Sequence, residues 1–557
     1  MIDGWRALGN LKILSKAAIY WNTLRHLKPG QFYWRLRRRS QLSKFEAVAT
    51  TERRDKTGNF VEPARRRQSI LSDNRVSLLN ADDCLSNRQI WNDPKHSKLW
   101  LYNLHYLDDL NAFDAKDRVD VHKNLVARWI SENPPIMGNG WEPYPISLRV
   151  VNLIKWVLTK DIADVQTEAS IAAQANYLSK VIELHLLGNH LFSNAKALVF
   201  AGSFFETPLS ARWLASGLAI LNKQVAEQVL ADGGNFERSP MYHALMLEDL
   251  LDLINLSTQF SSIVPETQIL KWKSTSELML SWLAAMSHPD GQIAFFNDAA
   301  NGVAPSNDEL FRYAKELGLS MPSESFDQVV YLEPSGYVRV TRGHATAIID
   351  VAPVGPDYLP GHAHADTLSF ELSIRGARWI VNGGTSRYGN CDIRQYERST
   401  AAHSTVEVGG VSSSEVWHGF RVARRSYPFD IEMQHMVEVS HVGASHTGYH
   451  RLRGKPTHRR TWAMSERHLK VHDTVLPDLY HAAANYIIHP DVKVADEGAG
   501  RFGLTGSDGS KVSFTILSGQ GRIMPSWFAP EFGERLPTTA IAVDLFAGQS
   551  EISIEWN

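Results

Sequence analysis

Near residue 326 the spacing of apolar residues changes from three and four to two. A helix returns a side chain to the same face every 3.6 residues and a strand every second residue, so no single element carries both patterns. Helical spacing runs through residues 146–158, 171–187, 191–205, 211–230, 245–256 and 269–286, with breaks such as Asn133-Pro134-Pro135 and Asp232-Gly233-Gly234 between them. Consecutive helices joined by short turns pair antiparallel in a solenoid or a closed toroid, and the lack of a fixed-period repeat disfavours a regular solenoid. Alternating runs at 345–351, 367–374, 379–381, 405–408, 468–475, 511–517, 540–545 and 551–556 then predict an antiparallel β-sandwich. The expected fold is therefore α+β and multidomain: a basic helical lead over 1–84, a helical domain over 85–325 and the sandwich over 326–557. A cleft is expected where the last two meet.

A chain of 557 residues exceeds what one hydrophobic core usually supports, which agrees with that division. The formal net charge of -2 gives no global electrostatic case for nucleic acid. Cys84 and Cys391 are too few for a disulfide framework or a zinc finger. Met1-Ile2-Asp3-Gly4-Trp5-Arg6 lacks the features of a secretory leader, and no apolar run approaches the ~20 residues of a transmembrane helix. A cytoplasmic location is expected, with the periplasm as the alternative. The lead is cationic, as in Trp34-Arg35-Leu36-Arg37-Arg38-Arg39, and such a segment meets an acidic polymer or a membrane surface. The plainer expectation is a solvated helical extension that packs its Trp and Leu residues elsewhere.

Three segments carry candidate chemistry. In Gly361-His362-Ala363-His364-Ala365-Asp366 a polar loop delivers two imidazoles to the start of a half-buried strand. Such a pair serves as a general base, as metal ligands or as ordinary surface histidines, and the segment alone leaves these open. Asn189 and His190 lie between Leu187 and Leu191, where polar groups need partners; a helix cap by Asn189 satisfies the local pattern as well as catalysis does. Tyr242 follows Pro240 at the start of an apolar helix, where its hydroxyl either faces a cleft or is packed.

Taken together these segments resemble the heparinase II/III family of polysaccharide lyases. The resemblance rests on Leu99-Trp100-Leu101-Tyr102-Asn103-Leu104-His105-Tyr106, on Trp141-Glu142-Pro143-Tyr144-Pro145-Ile146-Ser147-Leu148-Arg149 and on Gly188-Asn189-His190-Leu191-Phe192-Ser193-Asn194-Ala195-Lys196-Ala197-Leu198. It continues through residues 235–249, 361–371 and 394–406. It implies an incomplete (α/α) toroid followed by an antiparallel β-sandwich, and β-elimination at a uronic acid residue. A base removes the proton α to the carboxylate, positioned donors neutralise the enolate-like charge, and an acid protonates the departing glycosidic oxygen. On this resemblance Asn189 and His190 match the neutralisers, Tyr242 the acid and His362 the base.

The resemblance further implies a structural divalent metal, usually zinc, at His364 and His403, with no cofactor required for the chemistry. The third matching position is Asn382, where an amide replaces a carboxylate and weakens any zinc site. Arg238, Arg394, Arg398 and Arg421 are candidates for holding anionic sugar groups, with Glu237 and Arg238 beside the acid. The expected function is cleavage of an acidic polysaccharide, with the producing cell's own exopolysaccharide or capsule preferred over a glycosaminoglycan-like chain. A non-catalytic glycan-binding or assembly protein is the rival. Hydrolysis by Glu237, Asp298 and Asp366 is a weaker one. Oligomeric state is not legible.

Overall fold

The computed structural model describes residues 16–40, 45–48, 51–71, 74–162, 164–323, 326 and 328–557. The terminal segment read for a leader lies outside the described residues. In the lead, residues 16–24 form α1 and Pro29–Ser40 forms α2. The helical domain comprises α3 (Lys98–Tyr106), α4 (Val119–Glu132), α5 (Pro143–Lys160), α6 (Val165–Lys180), α7 (Gly188–Phe204), α8 (Pro208–Gln228), α9 (Pro240–Gln259), α10 (Glu266–Ala285) and α11 (Asn307–Glu316). Its helices pack largely on their chain neighbours, α7 on α8 and α9 on α10, while α5 also packs on α7, as in an incomplete toroid.

Local chemistry sets the helix starts. Thr207 and Ser210 form a reciprocal capping box ahead of Pro208, and the Ser239 side chain accepts from Tyr242 N with Pro240 at the first helical position. α7 is buried on nearly every side, which explains its lack of a polar stripe. The helix expected over 171–187 stops at Lys180. Residues 181–187 instead turn the chain, with Leu187 (φ 65°) and Gly188 (φ 56°) both left-handed. A Cβ at Gly188 would sit 2.5 Å from Leu359 Cδ2, so the turn that delivers Asn189 and His190 needs a glycine there.

The second domain is a sandwich of a nine-stranded and an eight-stranded antiparallel sheet. Strand Phe370–Ile374, in the first sheet, is buried on both faces. Phe370, Leu372 and Ile374 enter the core between the sheets, while Glu371 and Ser373 point to the toroid and bond the two nitrogens of His288. Alternation here therefore marks a domain interface rather than a solvated face. In the other sheet Asp473 accepts from Arg460 and His458, and Arg460 also donates to the carbonyls of Leu368 and Ser404, pinning the loops above. Among the described residues no helix is long and apolar enough to cross a membrane.

Candidate active site

Toroid and sandwich enclose a cleft of about 1150 Å³, lined among others by Asn189, His190, Glu237, Tyr242, His362 and Tyr388. His362 comes from the sandwich loop ahead of Phe370–Ile374, and the Asp298 backbone N–H holds its carbonyl at 2.9 Å. The His362 Nδ1–H donates to the Asp298 carboxylate at 2.8 Å, so Nε2 is the ring nitrogen left to face the cleft. Burial pushes the Asp298 carboxyl up, but Arg394 and the hydrogen bonds from His362 and His364 outweigh it and hold the carboxyl well below its ordinary range. Arg394 grips both carboxylate oxygens, one of them at 2.8 Å.

The first turn of α9 brings Tyr242 across the domain interface onto this imidazole, with ring centroids 3.9 Å apart. Its hydroxyl is 2.9 Å from that of Tyr388, on a sandwich loop. Burial raises both phenols well above their usual range, so both are protonated and one proton remains free for an acceptor in the cleft. On the opposite wall the first turn of α7 presents Asn189 and His190. His190 stacks on Tyr144 at 4.3 Å, and its Nδ1–H donates to Glu183 at 3.0 Å. The Tyr144 hydroxyl bonds Asn189 and Ser193. The imidazole of His362, the phenol of Tyr242 and the Asn189–His190 pair thus line one cavity.

Comparison with known proteins places both domains in one family. Residues 128–317 match the family Heparinase II/III N-terminus, and residues 328–557 match Heparinase II/III-like, C-terminal. The chain belongs to the heparinase II/III family. The heparin-sulfate lyase of Pedobacter heparinus is 28% identical over 260 residues, 42% of this chain and 37% of that one. The heparin-sulfate lyase of Bacteroides thetaiotaomicron is 24% identical over 339 residues, 52% and 47% of the two chains. The chain thus spans less than half the length of these curated relatives. Among solved structures a crystal structure of heparinase III superposes with a TM-score of 0.67 at 17% identity, covering 83% of this chain and 78% of that one. The heparan sulfate lyase HepC of Pedobacter heparinus superposes with a TM-score of 0.56 at 18% identity, covering 94% and 87%. These likenesses show a shared fold.

Within this heparinase II/III fold several sequence expectations change. Arg398 is fully buried and donates to the carbonyls of Ala363 and Arg421, so it braces the His362 loop instead of meeting sugar. Arg238, left-handed at φ 59°, turns back to the Ser335 and Phe236 carbonyls. Arg394 is committed to Asp298, and Arg421 lies over the Trp417 ring. Each guanidinium finds carbonyls, a carboxylate or a ring nearby that neutralise or shield it more closely than a ligand would. Asp366 accepts from Asn297 N beneath the site, away from the cleft, so the paired carboxylates of a hydrolase are not presented.

Glu237 does reach the cleft. It is 3% exposed, neither carboxyl oxygen has a hydrogen-bond partner, and one lies 3.6 Å from His362 Nε2. Burial raises its pKa, opposed by His362.

The metal expectation meets an incomplete donor set. His364 Nε2 donates to Asp298 at 2.8 Å and His403 Nδ1 to the Ser399 carbonyl at 2.7 Å, leaving the other two nitrogens facing each other at 3.1 Å. Asn382 Oδ1 accepts from Ser404 N–H, and the Asn382 amide donates to Ser369 Oγ. Among the described residues no group of three His, Cys, Asp or Glu is placed to hold a metal ion. Two imidazoles without a carboxylate fall short of a zinc cage.

Sequence reasoning gave no role to Tyr144, Glu183 or Tyr388, and it placed Asp298 only among hydrolytic carboxylates. Tyr144 lay inside a quoted segment. Nothing near Tyr388 in the chain signals that its loop crosses to Tyr242, 146 residues away.

Proposed function

We propose that this protein is a polysaccharide lyase cleaving a uronate-containing polymer by β-elimination. The observation that carries the proposal is the contact between the ring of His362, whose Nδ1 is committed to Asp298, and that of Tyr242, hydroxyl protonated, in one cleft. His362 Nε2 takes the proton α to the uronate carboxylate. The C–H electrons form the new double bond as the glycosidic C–O bond breaks, and the Tyr242 hydroxyl protonates the departing oxygen. Asn189 donates its amide to the carboxylate as its charge becomes enolate-like, with His190 beside it on the same helical turn. Burial raises the pKa of Glu237, which lessens the repulsion a carboxylate would offer the substrate there. No step needs a metal.

The cleft walls hold aromatic faces suited to sugar C–H surfaces, among them Trp100, Tyr102, Tyr106 and Phe420. The curated relatives' names make a glycosaminoglycan-like chain the first substrate class to test, beside acidic exopolysaccharides. The test follows the ultraviolet absorbance of the conjugated unsaturated uronate over a panel of both classes, with Tyr242→Phe as the control. Growth with the wild type and not the variant supports elimination and names the substrate. Reducing ends without that absorbance would mean hydrolysis, and binding without any cleavage would mean a glycan-binding protein.

A further inference from the structure

The basic lead is absorbed by none of this, and its two helices are built inside out. In α1, Ala17, Tyr20, Trp21 and Leu24 share one face by helical spacing, and that face is exposed: Trp21 is 68% accessible and Leu24 43%. Asn22 and Thr23 are half-buried instead. Thr23 Oγ1 accepts from Trp417 Nε1 at 3.1 Å, and His26 approaches Asp357 at 3.8 Å. α2 repeats the inversion. Gln31 is 2% exposed and donates to the Tyr358 carbonyl, while Phe32, Tyr33 and Leu36 stand out, Leu36 at 69%. The expected packing of the lead's Trp and Leu residues holds in part for Trp34 and Leu27, which are half-buried, and not for Trp21, Leu24 and Leu36.

Residues 16–40 also hold seven Lys or Arg and no Asp or Glu. Exposed Trp, Tyr, Phe and Leu interleaved with Lys and Arg match a headgroup boundary, where rings and aliphatic chains enter the acyl edge and Lys and Arg meet lipid phosphates. A second copy of this chain would bring the same cations to a self-complementary contact, where like charges repel. We propose that α1 and α2 form a docking surface for an anionic lipid bilayer, which the protein lies on and does not span.

The lead is also joined to the site. Lys28 lies over the Tyr358 ring at 3.6 Å and pairs with Glu227, and Tyr20 packs on Trp417 at 5.2 Å. Tyr358 and His362 share one loop, and Phe420, on the turn after Trp417, packs on the His362 ring at 6.1 Å. Docking therefore holds the protein to lipid through the segment that buttresses the base, and it does so whether or not the cleft performs elimination.

The test is co-sedimentation of the full chain with phosphatidylcholine vesicles, with and without phosphatidylglycerol, over a salt series. Binding is expected only with the anionic vesicles and should weaken as salt rises. Trp21→Ala with Leu36→Ala should lower affinity by at least about tenfold. Arg35→Gln with Arg37→Gln should lower it about fivefold per charge. Both pairs should keep the circular dichroism of the wild type and its affinity for uronate polymers. Failure to sediment at low salt, or equal binding to neutral vesicles, overturns the proposal. So does loss of a concentration-dependent dimer in the Trp21/Leu36 pair, which would make the face a contact between copies. Loss of polymer affinity in either pair would make it an extension of the sugar site.

Discussion

Asp298 accepts the Nδ1 proton of His362 at 2.8 Å while Arg394 grips both oxygens of the same carboxylate. The guanidinium keeps the carboxylate ionised, the carboxylate orients the imidazole through Nδ1, and that orientation turns Nε2, the proposed base, to the cleft. The order runs from the interior outward, so the base depends on an ion pair no substrate touches.

Asp298→Asn should therefore lower kcat by roughly 10²–10⁴-fold, the range for a disabled general base, while polymer affinity is largely kept. It also leaves Arg394 buried without its counter-charge, at a cost of about 3–5 kcal/mol. Steady-state kinetics and thermal melting on the same sample check both.

Tyr242→Phe should lower kcat by a similar ~10²–10⁴-fold with little change in melting temperature, because the ring stays on His362 and only the hydroxyl contact with Tyr388 is lost. Tyr388→Phe should cost less, about tenfold, since it removes a partner of the acid and not the acid. Equal losses in both would place the transferred proton on Tyr388.

Glu237→Gln should stabilise the protein at neutral pH. Burial raises this carboxyl above its ordinary 4.5, so the folded state holds a proton that the unfolded state releases, and stability falls as pH rises from 4.5 through the raised value. The amide removes that loss. Melting curves should diverge in favour of the variant at neutral pH and converge below 4.5.

Asp473→Ala should destabilise the sandwich by about 3–5 kcal/mol by stranding Arg460 and His458 in its core. Burial opposes ionisation of Asp473, but Arg460 and His458 overcome it and hold the carboxyl below its ordinary 3.8. Its contribution is thus complete above 3.8 and lost as pH falls through the folded value, so the gap between wild type and variant should close in acid.

Zinc should not move the melting temperature of the wild type, nor should a chelator, because the donor set at His364 and His403 lacks a carboxylate. Asn382→Asp supplies one between Ser404 N and Ser369 Oγ, and this variant should gain a zinc-dependent rise. A zinc response already present in the wild type would show that two imidazoles and the amide suffice.

The candidate site was legible where a residue's role follows from its own element. Asn189, His190 and Tyr242 stand in first helical turns, and His362 on the loop before a strand, and all four line the cleft. Arg238 and Arg398 were misjudged because a guanidinium looks the same in a sequence whether it ends on a sugar or on a backbone carbonyl. The exposure of Trp21, Leu24 and Leu36 in the lead was not legible because helical spacing identifies an apolar face without saying which way it turns.

By itself the sequence determined the change of period near residue 326, and with it a helical layer followed by a sandwich, because periodicity is a property of backbone geometry within a dozen residues. Only the tertiary structure decided which charges meet. Asp298 and Arg394 lie 96 residues apart, His362 and Asp298 64, and Tyr242 and Tyr388 146. A buried charge takes whichever opposite charge or dipole the packed domains bring within reach, and that choice is made by the interface, not by the neighbours in the chain.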